Sequence, residues 1–535
     1  MGIADGIALG NLLDNNNKVT LVFSGDGGAS EGDFHEALNV AAVWDLPVIF
    51  TVENNQWGLS TPSNEQFRCK QFVDKGIGYG MNAFQVDGNN VLEVYHSVKK
   101  IAESMRENPK PFLLECMTFR IRGHEEASGT KYYPEGIQDE WAQKDPVKNY
   151  ELFLMQEGIL SEEQRTAGVK EIKKEIQDNL DIAFAEGAVT VNTETEVNDL
   201  FYPYEQEVIA PTDNKEEMRY IDAISSGLKQ SMERYDDLVI MGQDVADYGG
   251  VFKITEGFVD QFGKDRVRNT PLCESAIVGS ALGLSINGMK AVMEMQFADF
   301  VTCGFNQIVN NLAKIHYRWG QKADVVVRMP TGAGSGAGPF HSQSNEAWFF
   351  HTPGLKIVYP AFPNDAKGLL TAAIEDPNPV MFFEHKYLYR TLKGEVCKDY
   401  FTTEIGKAAT VREGSQVTII TYGLGVHWAL DVLDAHPDID ADLIDLRTIL
   451  PYDKEAILNS VKKTGRVIIL HEDCLTGGLG GELSAVISEE CFSELDAPVM
   501  REGSLDTPVP FAIELENNFL PKERFEKKLL QLVHY

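Results

Sequence analysis

The chain has 535 residues, 43% of them hydrophobic, and a formal net charge of -33. That length predicts about three or four domains with sizeable cores, and the acidic excess argues against nucleic acid and anionic membrane surfaces as partners. No apolar run approaches the roughly 20 residues of a membrane span. The opening MGIADGIALGNLLDNNNK has no basic segment ahead of its apolar part, and the seven scattered cysteines form no CxxC pair, which predicts reduced thiols, a cytoplasmic protein and no zinc site.

Residues 1–13 read as an amphipathic helix. Thr20-Leu21-Val22-Phe23 is a short buried strand, and GDGGASEGDFHEALNVAAVWDLPVIFTVENN follows it. Over 33–44, Phe34, Leu38, Ala41 and Ala42 recur at helical spacing; Pro47 ends that helix and Val48-Ile49-Phe50-Thr51-Val52 is a second buried strand. Strand, turn, helix, strand is a βαβ unit with an expected right-handed crossover. Its two parallel strands end on one edge of the sheet, where open α/β folds bind ligands. Asp26 and Asn55 lie just past those ends, so a carboxylate and an amide oxygen can meet on one hard cation. Magnesium takes a few protein oxygens and completes its shell with phosphate and water. The Gly27-Gly28-Ala29 turn offers backbone N–H groups to a phosphate, helped by the helix start behind it. These residues point to a magnesium–diphosphate site; the plainer alternative is a glycine turn, a helix cap at Asp33 and a polar strand end.

The paired GDG and ENN motifs around one helix resemble thiamine-diphosphate enzymes, and the segment resembles the alpha subunit of 2-oxo acid dehydrogenases, the decarboxylating component of the pyruvate and branched-chain complexes. The resemblance implies thiamine diphosphate and Mg²⁺ as cofactors, with Asp26 and Asn55 as side-chain metal ligands and Trp57 as a backbone-carbonyl ligand. It places Gly25, Gly27, Gly28 and Gly58 beside the cofactor. In that family a long stretch precedes the first helix, so the alpha-like part is expected to be N-terminally incomplete.

Further along, 67–80 reads as mostly helical, 83–86 as a strand, 91–106 as an amphipathic helix and 111–119 as a strand. The strand leads into Arg120-Ile121-Arg122-Gly123-His124-Glu125-Glu126-Ala127-Ser128. This run resembles the family's active-site loop, which implies that His124 contacts the diphosphate; a solvated loop histidine is the alternative. Glu125 stands where the animal enzymes carry a regulatory serine. A charged helical region covers 147–186, and 189–214, polar and aperiodic, reads as a linker.

A helix over 216–234 and a strand at Leu238-Val239-Ile240-Met241 open a part that resembles the beta subunit of the same dehydrogenases. Thr270-Pro271-Leu272-Cys273-Glu274-Ser275 precedes a small-residue helix whose first turn favours a carboxylate. The match implies that Glu274 is the glutamate on the cofactor's aminopyrimidine ring, where it promotes the imino tautomer. A helix is expected over 299–319; Phe300 on it matches a position beside the aminopyrimidine. The run 331–338, TGAGSGAG, has neither the lysine nor the following helix of a nucleotide loop and reads as a flexible loop presenting Pro339-Phe340-His341-Ser342-Gln343. By resemblance His341 faces the reacting carbon. From 417 the strand–helix alternation resumes and resembles the family's C-terminal transketolase-like domain.

The expected fold is therefore α/β: two thiamine-diphosphate-binding, doubly wound parallel-sheet domains and a C-terminal transketolase-like α/β domain. The expected boundaries are 1–188 (alpha-like), 189–214 (linker), 215–390 (beta-like, pyrimidine-binding) and 391–535. The expected catalytic residues are Glu274, His341 and His124. The resemblance implies oxidative decarboxylation of a 2-oxo acid, branched-chain favoured, with reductive acylation of a lipoyl group on a dihydrolipoyl acyltransferase partner, by a homodimer of fused chains. The alternatives are a pyruvate enzyme of the same type, a transketolase-like ketol transferase, or a non-catalytic assembly module.

Overall fold

The computed structural model describes residues 1–125 and 127–535; Glu126, in the expected active-site loop, lies outside them. The chain divides into two compact units, Ile3–Asn198 with Met1 and Asp199–Tyr535 with Gly2. Both have the α/β architecture expected from the sequence, built on parallel sheets.

The first unit holds a four-stranded parallel sheet in the order Thr20–Gly25, Val48–Asn54, Phe112–Met117, Asn82–Asp87. Val48–Asn54 is inner, and its consecutive Val48, Ile49, Phe50, Thr51 and Val52 are all buried, as a strand covered on both faces requires. The helix Gly32–Val43 buries Phe34, Leu38 and Ala41, the stripe expected from the spacing. The first helix, Gly2–Leu13, is buried or half-buried along its length and includes the fully buried Asp5, so it is not the two-faced helix expected. Only Asp74–Gly78 of the expected 67–80 helix forms; Gly76, Gly78 and Gly80 raise the cost of extending it. Two further helices, Pro146–Gln156 and Glu162–Ala185, complete the charged region.

The second unit contains a seven-stranded sheet, ordered Thr448–Leu450, Lys356–Val358, Val380–His385, Val325–Thr331, Lys290–Glu294, Leu238–Gly242, Val267–Asn269. All its pairs are parallel except the edge pair made by Thr448–Leu450. A five-stranded sheet follows, ordered Ala409–Arg412, Ala441–Asp445, Val417–Thr421, Val467–Cys474, Met500–Ser504. The edge strand Thr448–Leu450 thus comes from the C-terminal part of the chain and joins the neighbouring sheet. One core runs through both sheets, including Tyr220, Ile224, Leu369, Phe382, Leu424, Trp428 and Leu529.

At the centre of the seven-stranded sheet the fully buried Arg328 donates to Glu294 and, through two nitrogens at 2.7 and 2.8 Å, to Glu384. Tyr389 Oη donates to the same Glu384 at 2.7 Å. Burial alone would make each charge costly; arranged on three adjacent strands, the ions satisfy one another.

The region read as a linker is structured in part. Thr193–Asn198 is helical. Beyond it, Tyr202 N–H donates to Asn378 Oδ1 at 2.7 Å, and Ile209 N–H donates to Thr402 Oγ1 at 2.8 Å. Lys215–Arg219 is a strand paired antiparallel with Lys393–Cys397, so the helix read over 216–234 begins only at Tyr220. Among the described residues no helix is long and apolar enough to cross a membrane.

Candidate active site

The first unit carries the candidate cation site. Strands Thr20–Gly25 and Val48–Asn54 are parallel with Gly25 opposite Glu53, so Asp26 and Asn55 leave the sheet side by side. The Asp26 and Asn55 loops touch: a Cβ on Gly27 would stand 2.8 Å from Gly58 Cα. Only glycine permits that approach. Asn55 Oδ1 accepts from Trp57 N–H at 2.9 Å, which folds the loop and leaves its second lone pair available.

Asp26 is 1% exposed, yet neither carboxylate oxygen has a hydrogen-bond partner. Burial pushes its pKa above the usual aspartate range. The backbone N–H groups of Asp26 itself, Asn55 and Gly27 and the Arg120 guanidinium counter this in part. A buried carboxylate without donors is held at a cost unless a cation completes it. The Asp26 carboxylate and the Asn55 amide oxygen are hard donors too few to close a shell, which suits Mg²⁺ carrying a phosphate. No cluster of three His, Cys, Asp or Glu side chains forms a metal site among the described residues. The residues present therefore fit a magnesium–diphosphate group.

His124 is exposed on the neighbouring loop. Arg120 Nη1 lies 3.4 Å from its Nδ1. Arginine can only donate, so Nδ1 accepts and the ring proton sits on Nε2. Arg120 also donates from Nη2 to Leu59 O at 2.8 Å and to Tyr132 Oη at 3.0 Å. It thereby ties the His124 loop to the one carrying Asn55, Trp57 and Gly58. Trp57 packs on Tyr132 and Tyr133, with ring centroids 5.7 and 5.3 Å away. Sequence reasoning gave Arg120 no role of its own; its place at the start of the run that resembles the active-site loop was the one available signal.

The second unit supplies the other group of expected residues. Glu274 opens the helix Glu274–Ile286, whose Ser, Ala and Gly residues allow burial all round. Gln243, 5% exposed just after strand Leu238–Gly242, presents its Nε2 3.4 Å from Glu274 Oε1; its own Oε1 is buried without a partner. Phe300 and His341 are together: the rings lie 5.6 Å apart, and Phe297 meets His341 edge to face at 4.8 Å. Phe300 sits on a 3-10 turn, Ala298–Gly304, because the expected 299–319 helix is broken into 3-10, π and α segments. Side-chain amides there bond along the segment, Asn310 to Asn306 at 2.8 Å and Asn311 to Gln307 at 2.7 Å, and such π turns recur at functional sites. Asp299 Oδ1 accepts both the backbone and side-chain N–H of Gln343, at 3.2 and 3.0 Å, which anchors the His341 loop. Lys386 donates to Gly332 O and lies 5.9 Å from the Phe297 ring centre. Burial lowers its pKa to about 8 against the pull of Glu472, Asp299 and Glu516.

A candidate carboxylate–amide edge in the first unit and, in the second, a glutamate at a helix start and an aromatic-flanked histidine fit one class: a thiamine-diphosphate enzyme. Comparison with known proteins narrows it. Residues 1–192 match the family model described as "Dehydrogenase E1 component", 216–391 the "Transketolase, pyrimidine binding domain" and 406–524 the "Transketolase, C-terminal domain". The chain is 46% identical over 326 residues to the 2-oxoisovalerate dehydrogenase subunit beta of Bacillus subtilis, covering 59% of this chain and 99% of that protein. It is 45% identical over 302 residues to the mitochondrial 2-oxoisovalerate dehydrogenase subunit beta 2 of Arabidopsis thaliana (56% and 84% covered). With the pyruvate dehydrogenase E1 component subunit beta of B. subtilis the identity is 40% over 312 residues (58% and 96%). The chain belongs to the E1 components of 2-oxo acid dehydrogenases. As such it is an oxidoreductase that decarboxylates a 2-oxo acid with thiamine diphosphate and Mg²⁺, and it associates with the acyltransferase component of its complex.

Proposed function

We propose that the substrate is a branched-chain 2-oxo acid and that the residues above divide the work between the two ends of the coenzyme. Identities of 46% and 45% to 2-oxoisovalerate enzymes, against 40% to a pyruvate enzyme, support the substrate. The observation that carries the site is the buried Asp26 carboxylate with no donor on either oxygen.

In this reading Asp26 and Asn55 hold Mg²⁺ through their side chains and Trp57 through its carbonyl, while Gly25, Gly27, Gly28 and Gly58 leave room for the diphosphate. His124, with its proton on Nε2, donates to a diphosphate oxygen. When bound, thiamine diphosphate supplies the carbanion chemistry of decarboxylation. Glu274 would hold a proton on its carboxyl group for the aminopyrimidine end of the coenzyme, and the Gln243 amide would steady that carboxyl group. Phe300 packs beside the ring. His341 orients the 2-oxo acid carboxylate and then serves acyl transfer to a lipoyl group on the dihydrolipoyl acyltransferase.

The assignment of 1–188 and 215–390 as alpha-like and beta-like domains, joined by 189–214 and followed by 391–535, belongs to the same reading, as do a homodimer of fused chains, a cytoplasmic location and the absence of nucleic-acid or membrane partners. Calorimetric titration with thiamine diphosphate and Mg²⁺ tests cofactor binding. A dye-linked assay of 3-methyl-2-oxobutanoate against pyruvate tests substrate choice, and a large preference for pyruvate rejects it.

A further inference from the structure

The glycine run 331–338 is held, not free. Gly332, Gly334, Gly336 and Gly338 have φ of +91°, +93°, +68° and +71°, an alternation that other residues adopt only with strain. Carboxylates meet the N–H groups of the loop. Glu472 Oε1 accepts from Ala333 N–H at 2.6 Å, and the two oxygens of Glu516 accept from Gly334 and Gly336 N–H, each at 2.9 Å. Glu516, on helix Ile513–Phe519, is 1% exposed; Glu472, on strand Val467–Cys474, is 5% exposed and also pairs with His385 at 2.6 Å. Successive N–H groups closing on an anion form a nest, and here the anion is part of the protein.

The loop has no slack. A Cβ on Gly332 would stand 2.0 Å from His385 Nε2, and one on Gly338 2.2 Å from the Phe511 ring. The held segment runs straight into the site: His341 N–H donates to Gly338 O at 3.4 Å, Thr331 Oγ1 closes the base of the loop by donating to Gln343 O at 2.8 Å, and Ser344 Oγ donates to Glu472 at 3.3 Å.

We propose that Glu516, assisted by Glu472, is a positioning residue for the reaction: the C-terminal part of the chain clasps the glycine loop and so fixes His341 against Phe297 and Phe300. The proposal rests on His341 being the group that faces the substrate. Neither carboxylate needs to touch substrate or coenzyme; each acts through the backbone it holds.

The test uses the full chain carrying Glu516→Ala or Glu516→Asp, with hydrogen exchange of the 331–343 amides measured beside turnover and coenzyme affinity. In Glu516→Ala two charge-assisted bonds are lost, so exchange at Gly334 and Gly336 should accelerate about a hundredfold. The kcat should fall about tenfold or more through misplacement of His341, while the Kd for thiamine diphosphate stays within about twofold, since no group holding it is changed. Glu516→Asp keeps the charge but shortens its reach by a methylene, so it should recover part of both effects; it carries the same test if the alanine variant does not fold. Unchanged exchange overturns the clasp, and faster exchange with unchanged turnover overturns its role in positioning. His341→Ala, run in parallel, separates the two layers: wild-type turnover there removes the histidine assignment and the catalytic half of the proposal, whereas the exchange data still decide whether Glu516 holds the loop.

Discussion

In the first unit a glycine turn presents a buried carboxylate, Asp26, that finds no donor; in the second a glycine loop presents backbone N–H groups that find two carboxylates, Glu472 and Glu516. One site is left electrostatically open and the other is closed by the protein itself. The open one suits a ligand that brings its own charge, as a metal diphosphate does. The closed one holds the loop that carries His341, the histidine proposed above to face the substrate. On the proposed roles, preorganisation is unevenly distributed: strong at the loop assigned to chemistry and weaker at the edge assigned to a cation.

The largest effect expected is at the helix start. Glu274→Gln should lower decarboxylation by about 10²–10⁴-fold, the usual range for a lost acid–base group, with coenzyme affinity nearly intact. Turnover at the wild-type level would remove Glu274 from its role.

Arg328→Met probes the self-satisfied side. It strands Glu294 and Glu384 without their shared cation and should cost about 3–5 kcal/mol of stability in denaturant titration. A loss below about 1 kcal/mol would mean that the three ions do not depend on one another as their geometry implies.

The open site predicts a dependence on pH. As the proposed ligand, Asp26 must be ionised to hold Mg²⁺, and burial raises its pKa. Affinity for Mg²⁺ should therefore weaken as pH falls through that raised value, by up to about tenfold per pH unit for one competing proton. A flat profile across mildly acidic pH would show that Asp26 does not bind the ion.

The smallest effect concerns Asp26→Asn without metal. A raised folded pKa means that this carboxyl favours the fold below the ordinary aspartate pKa and loses that contribution as pH rises through the folded value. Removing the charge should stabilise the metal-free protein at neutral pH by about 1–2 kcal/mol, and the gain should shrink on acidification. Destabilisation of the metal-free protein instead would show that the carboxylate has donors after all.

The expectations that held share one property: they rest on neighbours in sequence. The GDG and ENN motifs flank a single helix, so a βαβ reading is enough to bring Asp26 beside Asn55. The TPLCES and HSQ matches single out Glu274 and His341 one at a time, and their roles stay proposals that the variants above test. The failures are equally physical. The 299–319 segment has the apolar spacing of a helix, but its asparagine and glutamine side chains accompany a broken, partly π geometry. The 331–338 run looks flexible by composition, since glycine permits many conformations; what selects one of them lies elsewhere.

The parallel α/β class and the order of most elements follow from the sequence by itself, because periodicity and turn residues are local quantities; the roles proposed for Glu274 and His341 came from a motif resemblance. The tertiary structure alone decides how those parts are held. Glu472 meets Ala333 across 139 residues and Glu516 meets Gly334 across 182. Thr448–Leu450 crosses to a neighbouring sheet, and Arg120 ties two loops together across the strand edge. Contacts of that length depend on where the whole backbone goes, and no window of residues contains them.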